Sequence, residues 1–407
     1  MLSIRSALEL MLPHFAPVRS ERLPLAAATG RVLARDLYAQ YELPEFTHSA
    51  MDGYAVRYAD LSMDVTLPVQ GESRAGGGLP PALSPMTAMR ILTGAPMPDG
   101  ADTVIMQENV ARTGVQLRVL QLPRQGANVR LRGSDVRPGE RLVANGTALG
   151  PGEVGLLAAQ GCAHVDINAR PRVAILTTGD ELREVDAPRV PATIVNSNGL
   201  ALAAAVLQAG CEAELLPIAA DRADDIARQL KRGLGADVML TVGGVSVGDY
   251  DLVSHELRAA GVDIAFHKVA IKPGKPLLFG LHGARPVVGL PGNPVSALVT
   301  FYVFIRPCLL RMQGHREIYA ETLDVLLAEP YRRTAGRTEL ARARVSRTHG
   351  AWVAHLHAAQ GSGSLQSLVA QDVLVILPAE REQFAAGETL RALRIGDARS
   401  AACPFDG

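Results

Sequence analysis

Three of the four lysines in this 407-residue chain, Lys268, Lys272 and Lys275, fall within eight positions; the rest of the 41 basic residues are Lys231 and 37 arginines. Where arginine has taken almost every cationic position, retained lysines mark places that need a compact ammonium with three donors and not a planar guanidinium. Lys272 and Lys275 flank Pro273-Gly274, a turn able to hold two ammoniums close together. Two like charges in a poorly solvated turn are costly unless an oxyanion neutralises them, so the chemistry implied is capture of a dianion.

Three glycine-containing loops add to this: Thr177-Thr178-Gly179-Asp180-Glu181, Gly243-Gly244-Val245-Ser246-Val247-Gly248-Asp249-Tyr250-Asp251, and Leu290-Pro291-Gly292-Asn293-Pro294-Val295-Ser296. Each follows a strand-like run, and loop amides that lead into a helix form an anion site to which glycine allows close approach. Asp180, Glu181, Asp249 and Asp251 lie on these loops, where Mg²⁺ is commonly held by one or two carboxylates together with phosphate oxygens. The set predicts a phosphate-bearing ligand and phosphoryl or pyrophosphate chemistry. Which of Asp249 and Asp251 holds the metal is left open by the spacing.

The second loop also contains a literal G-x-S-x-G, 244–248, in the strand–turn–helix setting of a serine-hydrolase nucleophile elbow. That reading needs a later acid and histidine and an upstream oxyanion loop. No HGGG-like stretch is present, and His255, His267 and His282 carry no supporting signature.

The elements that position these residues read as an α/β domain over 171–314. Expected strands at 173–177, 213–218, 237–242 and 287–290 alternate with helices at 200–208, 221–230, 250–260 and 295–310, with Asp221 as the cap of the second helix. Ligands bind beyond the carboxyl ends of strands in such sheets, which is where the three loops begin. Residues 41–137 are rich in Gly, Pro and short alternating runs and predict a β-rich insertion lobe. Segments 1–40 and 138–170 flank it as an expected stalk domain, in which Ile4, Leu8, Met11, Leu12 and Phe15 at helical spacing predict an amphipathic helix, and 315–407 read as a C-terminal β-barrel.

Lys+Arg and Asp+Glu are both 41, and with 48% hydrophobic and 20% charged residues the chain can bury several cores. Zero formal charge lacks the basic excess of a dedicated nucleic-acid or anionic-membrane binder. Cys162, Cys211, Cys308 and Cys403 are far apart, with no C-x-x-C pair, which argues against a zinc site or disulfide framework and suits a reducing cytoplasm. The apolar runs at 200–207 and 297–305 are too short to span a bilayer, so no membrane segment is expected.

Taken together, 49–57 (SAMDGYAVR), 92–96 (LTGAP), 178–182 (TGDEL), 243–248 (GGVSVG), 270–276 (AIKPGKP) and 289–296 (GLPGNPVS) occur in the order of one family. The chain resembles the bacterial MoeA proteins, the molybdopterin molybdenumtransferases, which are related to the E domains of plant relatives and of gephyrin. The resemblance implies an elongated four-domain homodimer whose α/β domain is similar to molybdopterin adenylyltransferases. It also implies a reaction, in which adenylated molybdopterin and molybdate give molybdenum cofactor and AMP with Mg²⁺. The implied site is a cleft between subunits, bringing Asp52, Thr93 and Asp135 to Glu181, Asp221, Asp251, Lys268, Lys272 and Lys275. Pro291 and Pro294 would shape it, and Lys272, Lys275, Ser296, Arg342 and Ser362 would hold molybdate. Implied partners are a molybdopterin adenylyltransferase and downstream molybdoenzymes or carriers. Two other readings stay open here: a non-enzymatic scaffold or cofactor carrier of the gephyrin type, and the serine hydrolase.

Overall fold

The structure, a computed structural model, describes residues 1–244 and 252–395. At its centre is a six-stranded mixed sheet. The order is Glu212–Leu215, Arg172–Thr177, Val238–Val242, Arg285–Leu290, Pro276–His282, Val262–Lys268. The first four strands are parallel, and the Pro276–His282 strand runs antiparallel to both of its neighbours. The sequence pattern predicted the parallel strands; it did not predict the edge hairpin, whose pairing shifts register between Ile264 and Phe266 and again between Phe266 and Lys268.

The central strands are buried on both faces, as parallel strands under crossover helices must be. Val173, Ile175, Val238 and Leu240 pack on the side of the helices Ser197–Gln208 and Pro294–Thr300. Ala174, Leu176 and Met239 meet Ile226 and Leu230 of Ala223–Gly233 and Val253 and Leu257 of Leu252–Ala259 on the other. The long helix runs on through Met312 with a π turn at Phe301–Ile305. By length and a mean hydropathy of 1.5 its 19 residues could cross a membrane, yet its apolar window is 67% buried against this sheet, as a core helix is.

The expected stalk is assembled in part from other contacts. Ser20–Pro24 pairs with His164–Asn168, and Leu37–Tyr38 with Arg141–Val143, around Leu33, Leu157 and Ile167. The first helix, Ile4–Met11, capped by Ser3, departs from that expectation: Ala7, Met11 and Phe15 enter the α/β core, with Phe15 stacked on Phe279. Its apolar face finds a larger apolar partner there than the stalk offers, and Leu2 bonds the backbone at Lys268 and Ala270.

The lobe is a six-stranded mixed sheet in the order Thr103–Met106, Gly53–Val56, Ala88–Ile91, Thr66–Ser73, Gln116–Val119, Val110–Thr113. In the C-terminal region Thr338–Thr348, Ala351–Leu356, Thr322–Leu327, Thr389–Arg394 and Val373–Leu377 close into a five-stranded barrel, sealed by pairing of the first and last. A two-residue strand of the α/β domain, Ile271–Lys272, adds in parallel to its Thr338–Glu339 end. The barrel therefore helps to place Lys272.

Candidate active site

Thr177, Val242 and Leu290 are paired in register, Thr177 with Val242 and Val242 with Leu290, so the three central parallel strands end level. The loops that leave them consequently lie side by side. They approach so closely that only glycine serves at Gly243: with φ +92°, a Cβ there would sit 2.8 Å from the Thr178 carbonyl oxygen. Beyond the strand ends opens a cavity of about 610 Å³, within the size range of small-molecule sites. Thr178, Gly179, Glu181, Asp221, Gly243, Gly244, Pro291, Gly292, Asn293 and Ser296 line it, all singled out from the sequence. Pro294 lines a smaller space of about 170 Å³ beside it. Among the described residues the buried Thr178 hydroxyl has no hydrogen-bond partner, an orphan donor at the cavity wall that a ligand oxygen would satisfy. Ser246, Gly248, Asp249 and Asp251 lie outside the described residues.

Carboxylates crowd one side of the cavity. The Asp221 amide donates to Asp180 Oδ1 at 3.0 Å, and the Glu181 carboxylate folds back over Gly179, within 2.5 Å of where a Cβ would stand. Partial burial, and then the charges of Asp180 and Glu181, push the Asp221 carboxyl above its ordinary value. The expected capping role of Asp221 is corrected by this arrangement. The helix begins at Ala223 with Arg222 at its cap position, and Asp225 is the residue that reaches back, accepting from the Ala220 amide at 2.9 Å. Among the described residues no three metal-ligating side chains converge. A cation there would be held by one or two carboxylates with ligand oxygens completing its shell, which suits the crowded like charges.

The lysine turn packs between the long helix and the barrel. Gly274, at φ +108°, lies so close to Thr300 that a Cβ would come within 2.5 Å of its methyl group. Lys272 donates from Nζ to Glu339 Oε2 at 3.1 Å; the Lys272 side chain is 37% exposed and that of Glu339 1%. Lys275 is exposed, and Lys268 is half-buried at the end of its edge strand. Neither they nor Lys272 line the 610 Å³ cavity; they stand next to it, one residue short of its Pro276 wall in the case of Lys275.

The C-terminal region meets the third loop at Ser362. Asn293 Nδ2 donates to Ser362 Oγ at 3.2 Å, and the Val295 amide to the Ser362 carbonyl. Arg342, fully buried, donates to Ser367 Oγ and to the carbonyls of Ala359 and Gly361, leaving Nη1 without a partner. Sequence reasoning missed Glu339, the partner of Lys272, and Tyr331 and Arg333, which contact Glu339 in turn. No local signal marks Glu339 within its strand, Thr338–Thr348.

In the lobe, Asp52 Oδ1 accepts from both the amide and the hydroxyl of Thr93, at 2.7 Å each. These two bonds, the amide first, hold the Asp52 carboxyl below its ordinary value. Asp52, Thr93 and Asp135 are all exposed. Within the chain, no described hydrogen bond or ion pair joins them to the α/β cavity or the lysine turn.

Comparison with known proteins covers the lobe, the α/β domain and the barrel. Residues 2–161 match the MoeA N-terminal region (domain I and II), 174–311 a probable molybdopterin binding domain, and 324–394 the MoeA C-terminal region (domain IV). A molybdopterin molybdenumtransferase of Haemophilus influenzae is 34% identical over 96% of this chain and 98% of its own length. The chain belongs to the MoeA family. A second relative with the same name, from Nostoc, is 40% identical over 72% of this chain and 70% of its own. The molybdopterin biosynthesis MoeA protein of Pyrococcus horikoshii OT3 superimposes with a TM-score of 0.84 at 30% identity, covering 97% of this chain and all of the other. The fold of a multidomain α/β protein with a closed C-terminal barrel is thus shared over almost the entire chain.

Proposed function

We propose that this chain is a molybdopterin molybdenumtransferase, inserting molybdate into adenylated molybdopterin with release of AMP. Membership of the MoeA family supports this reading over a scaffold or a hydrolase. The observation that carries it is the juxtaposition of level, glycine-rich strand ends with the Lys272–Lys275 turn: a pyrophosphate cradle beside a dianion seat. No histidine is among the described residues lining the cavity, as a serine hydrolase would require.

The pyrophosphate of adenylated molybdopterin lies along Thr178–Gly179, Gly243–Gly244 and Gly292–Asn293, where loop amides and the Thr178 hydroxyl donate to its oxygens. Molybdate is a dianion and takes the donors of Lys272 and Lys275, with Ser296 and Ser362 beside them and Arg342 behind. Asp249 or Asp251 would hold Mg²⁺, which supplies charge neutralisation to the pyrophosphate. Cations already fixed in place stabilise the charge that develops as AMP departs, without reorganising.

The lobe residues reach the cavity across a homodimer in this reading, Asp52, Thr93 and Asp135 of one subunit facing Glu181, Asp221 and Lys268 of the other. Their exposure and their lack of contact with the cavity of their own chain support it. A molybdopterin adenylyltransferase as donor and molybdoenzymes or carriers as recipients fit the same reaction. The cytoplasm is the compartment, where Cys162, Cys211 and Cys308 remain the free thiols seen in the fold.

The test is AMP release from adenylated molybdopterin and Mg²⁺, with and without molybdate, by wild type and Asp52→Asn. Molybdate-dependent release that is lost in the variant is expected; no release by wild type overturns the assignment.

A further inference from the structure

Glu339 is a carboxylate with both oxygens occupied in a buried place. Oε1 accepts from the Tyr331 hydroxyl at 3.0 Å; Oε2 accepts from Lys272 Nζ at 3.1 Å and lies 3.7 Å from Arg333 Nη1. Arg333 is itself 1% exposed and anchored to the barrel by hydrogen bonds to the carbonyls of Arg381, Arg337 and Pro378. It already pairs with Glu339, so the lysine is not the only cation beside that carboxylate.

The consequence runs the other way. Lys272 has a long, flexible stem and is partly exposed, so an unguided ammonium would spread over many rotamers. Glu339 takes one of its three N–H donors and leaves two to point outward. Arg333 and Lys272 both pair with the one carboxylate of Glu339 and Arg342 lies within its electrostatic reach, so the cluster carries more positive than negative charge, which suits an anion. The unpartnered Nη1 of Arg342 lies in the same cluster.

We infer that Glu339 is the positioning residue for Lys272, a barrel carboxylate that aims the ammonium at the oxyanion and thereby sets molybdate affinity without touching substrate. The inference rests on the reading of Lys272 as a molybdate ligand. It assigns the barrel a part in the chemistry through the parallel pairing of Ile271–Lys272 with Thr338–Glu339.

Glu339→Asp keeps the charge that Arg333 needs but draws the carboxylate back by one methylene, beyond reach of Nζ. Binding of molybdate alone, by calorimetry, is expected to weaken about tenfold, because displacing a binding group by about 1 Å is costly. In turnover the KM for molybdate should rise to match, with kcat and the KM for adenylated molybdopterin within about twofold of wild type. Tyr331→Phe, which frees only one side of the carboxylate, should weaken molybdate binding less and in the same direction; it carries the test if the first variant does not fold. A merely structural Glu339 would lower melting temperature and affect both substrates alike. Wild-type molybdate affinity in both variants overturns the inference while leaving the transferase intact. Weakened binding by Glu339→Asp in a protein that releases no AMP would sink the transferase and leave the inference standing. A wild type that binds no molybdate overturns it outright.

Discussion

Thr93 gives Asp52 two hydrogen bonds on one oxygen, from its amide and from its hydroxyl, each at 2.7 Å. Both stabilise the carboxylate, and Asp52 therefore stays ionised to lower pH than an ordinary aspartate. Thr93→Ala removes the hydroxyl bond and leaves the larger contribution of the amide. The Asp52 titration midpoint should move upward and remain below the ordinary value, as followed by carboxyl-carbon NMR. The linked stability has a definite sign. Because the folded-state value is depressed, the contribution is present above the unfolded-state value and fades as pH falls through the folded one. Asp52→Asn should reduce molybdate-dependent AMP release by about 10²-fold or more if this carboxylate takes part in proton transfer or orientation, and Thr93→Ala by less.

The lobe pair and the lysine turn were legible in the sequence for different reasons. Lys272 and Lys275 stood out because arginine fills nearly every other cationic position, so their type alone carried information. Asp52 was recognisable only through family resemblance, since Asp before Gly is otherwise an ordinary turn. Glu339 was not legible: nothing local marks a strand glutamate as the partner of a lysine 67 residues away. The N-terminal helix was readable as a helix but not in its docking, because its apolar stripe is equally compatible with the stalk. Only the larger core around Phe279 decides the matter. Asp221 failed for a local reason, since an aspartate ahead of a helix is a good cap on paper, and the actual helix begins one residue later than that role allows.

The displaced role of Asp221 leads to a pH prediction of opposite sign to that of Asp52. Its carboxyl is raised by partial burial and by Asp180 and Glu181, so ionising it costs the folded state. That cost is present at neutral pH and is relieved as pH falls through the raised value. In metal-free buffer Asp221→Asn should therefore raise the melting temperature at pH 7, with the gain shrinking to nothing near pH 3. A variant less stable than wild type at pH 7 would mean that the three carboxylates do not crowd one another in solution.

The level strand ends make Gly243 a stringent position. At φ +92° and 2.8 Å from the Thr178 carbonyl oxygen, a methyl group is both strained and obstructed by backbone. Gly243→Ala should destabilise by about 1–3 kcal/mol, the range for a strained backbone site. The adjoining loops would also separate, so AMP release should fall further than stability does. Thermal unfolding and the KM for adenylated molybdopterin measured on the same preparation check this, and an unchanged KM would show that the two loops do not share the pyrophosphate.

Gly274 offers a sharper test of the lysine turn, because its obstruction comes from a removable side-chain atom. The Thr300 methyl would stand 2.5 Å from an added Cβ, while the Thr300 hydroxyl is occupied by the helix carbonyls of Ser296 and Ala297. Gly274→Ala should push Lys272 and Lys275 away from the long helix and weaken molybdate binding by about tenfold, the cost of misplacing ligand-holding groups. Thr300→Ser deletes the obstructing methyl and keeps the hydroxyl bonds, and alone it should leave binding near wild type. Combined, the two substitutions should recover part of the lost affinity, since residues in direct contact couple in a double-mutant cycle. Recovery should be incomplete, because the backbone at φ +108° still disfavours any residue with a Cβ. Strict additivity of the two single effects would mean that the turn does not press on the helix at Thr300, and that packing there is not what holds the two ammoniums in place.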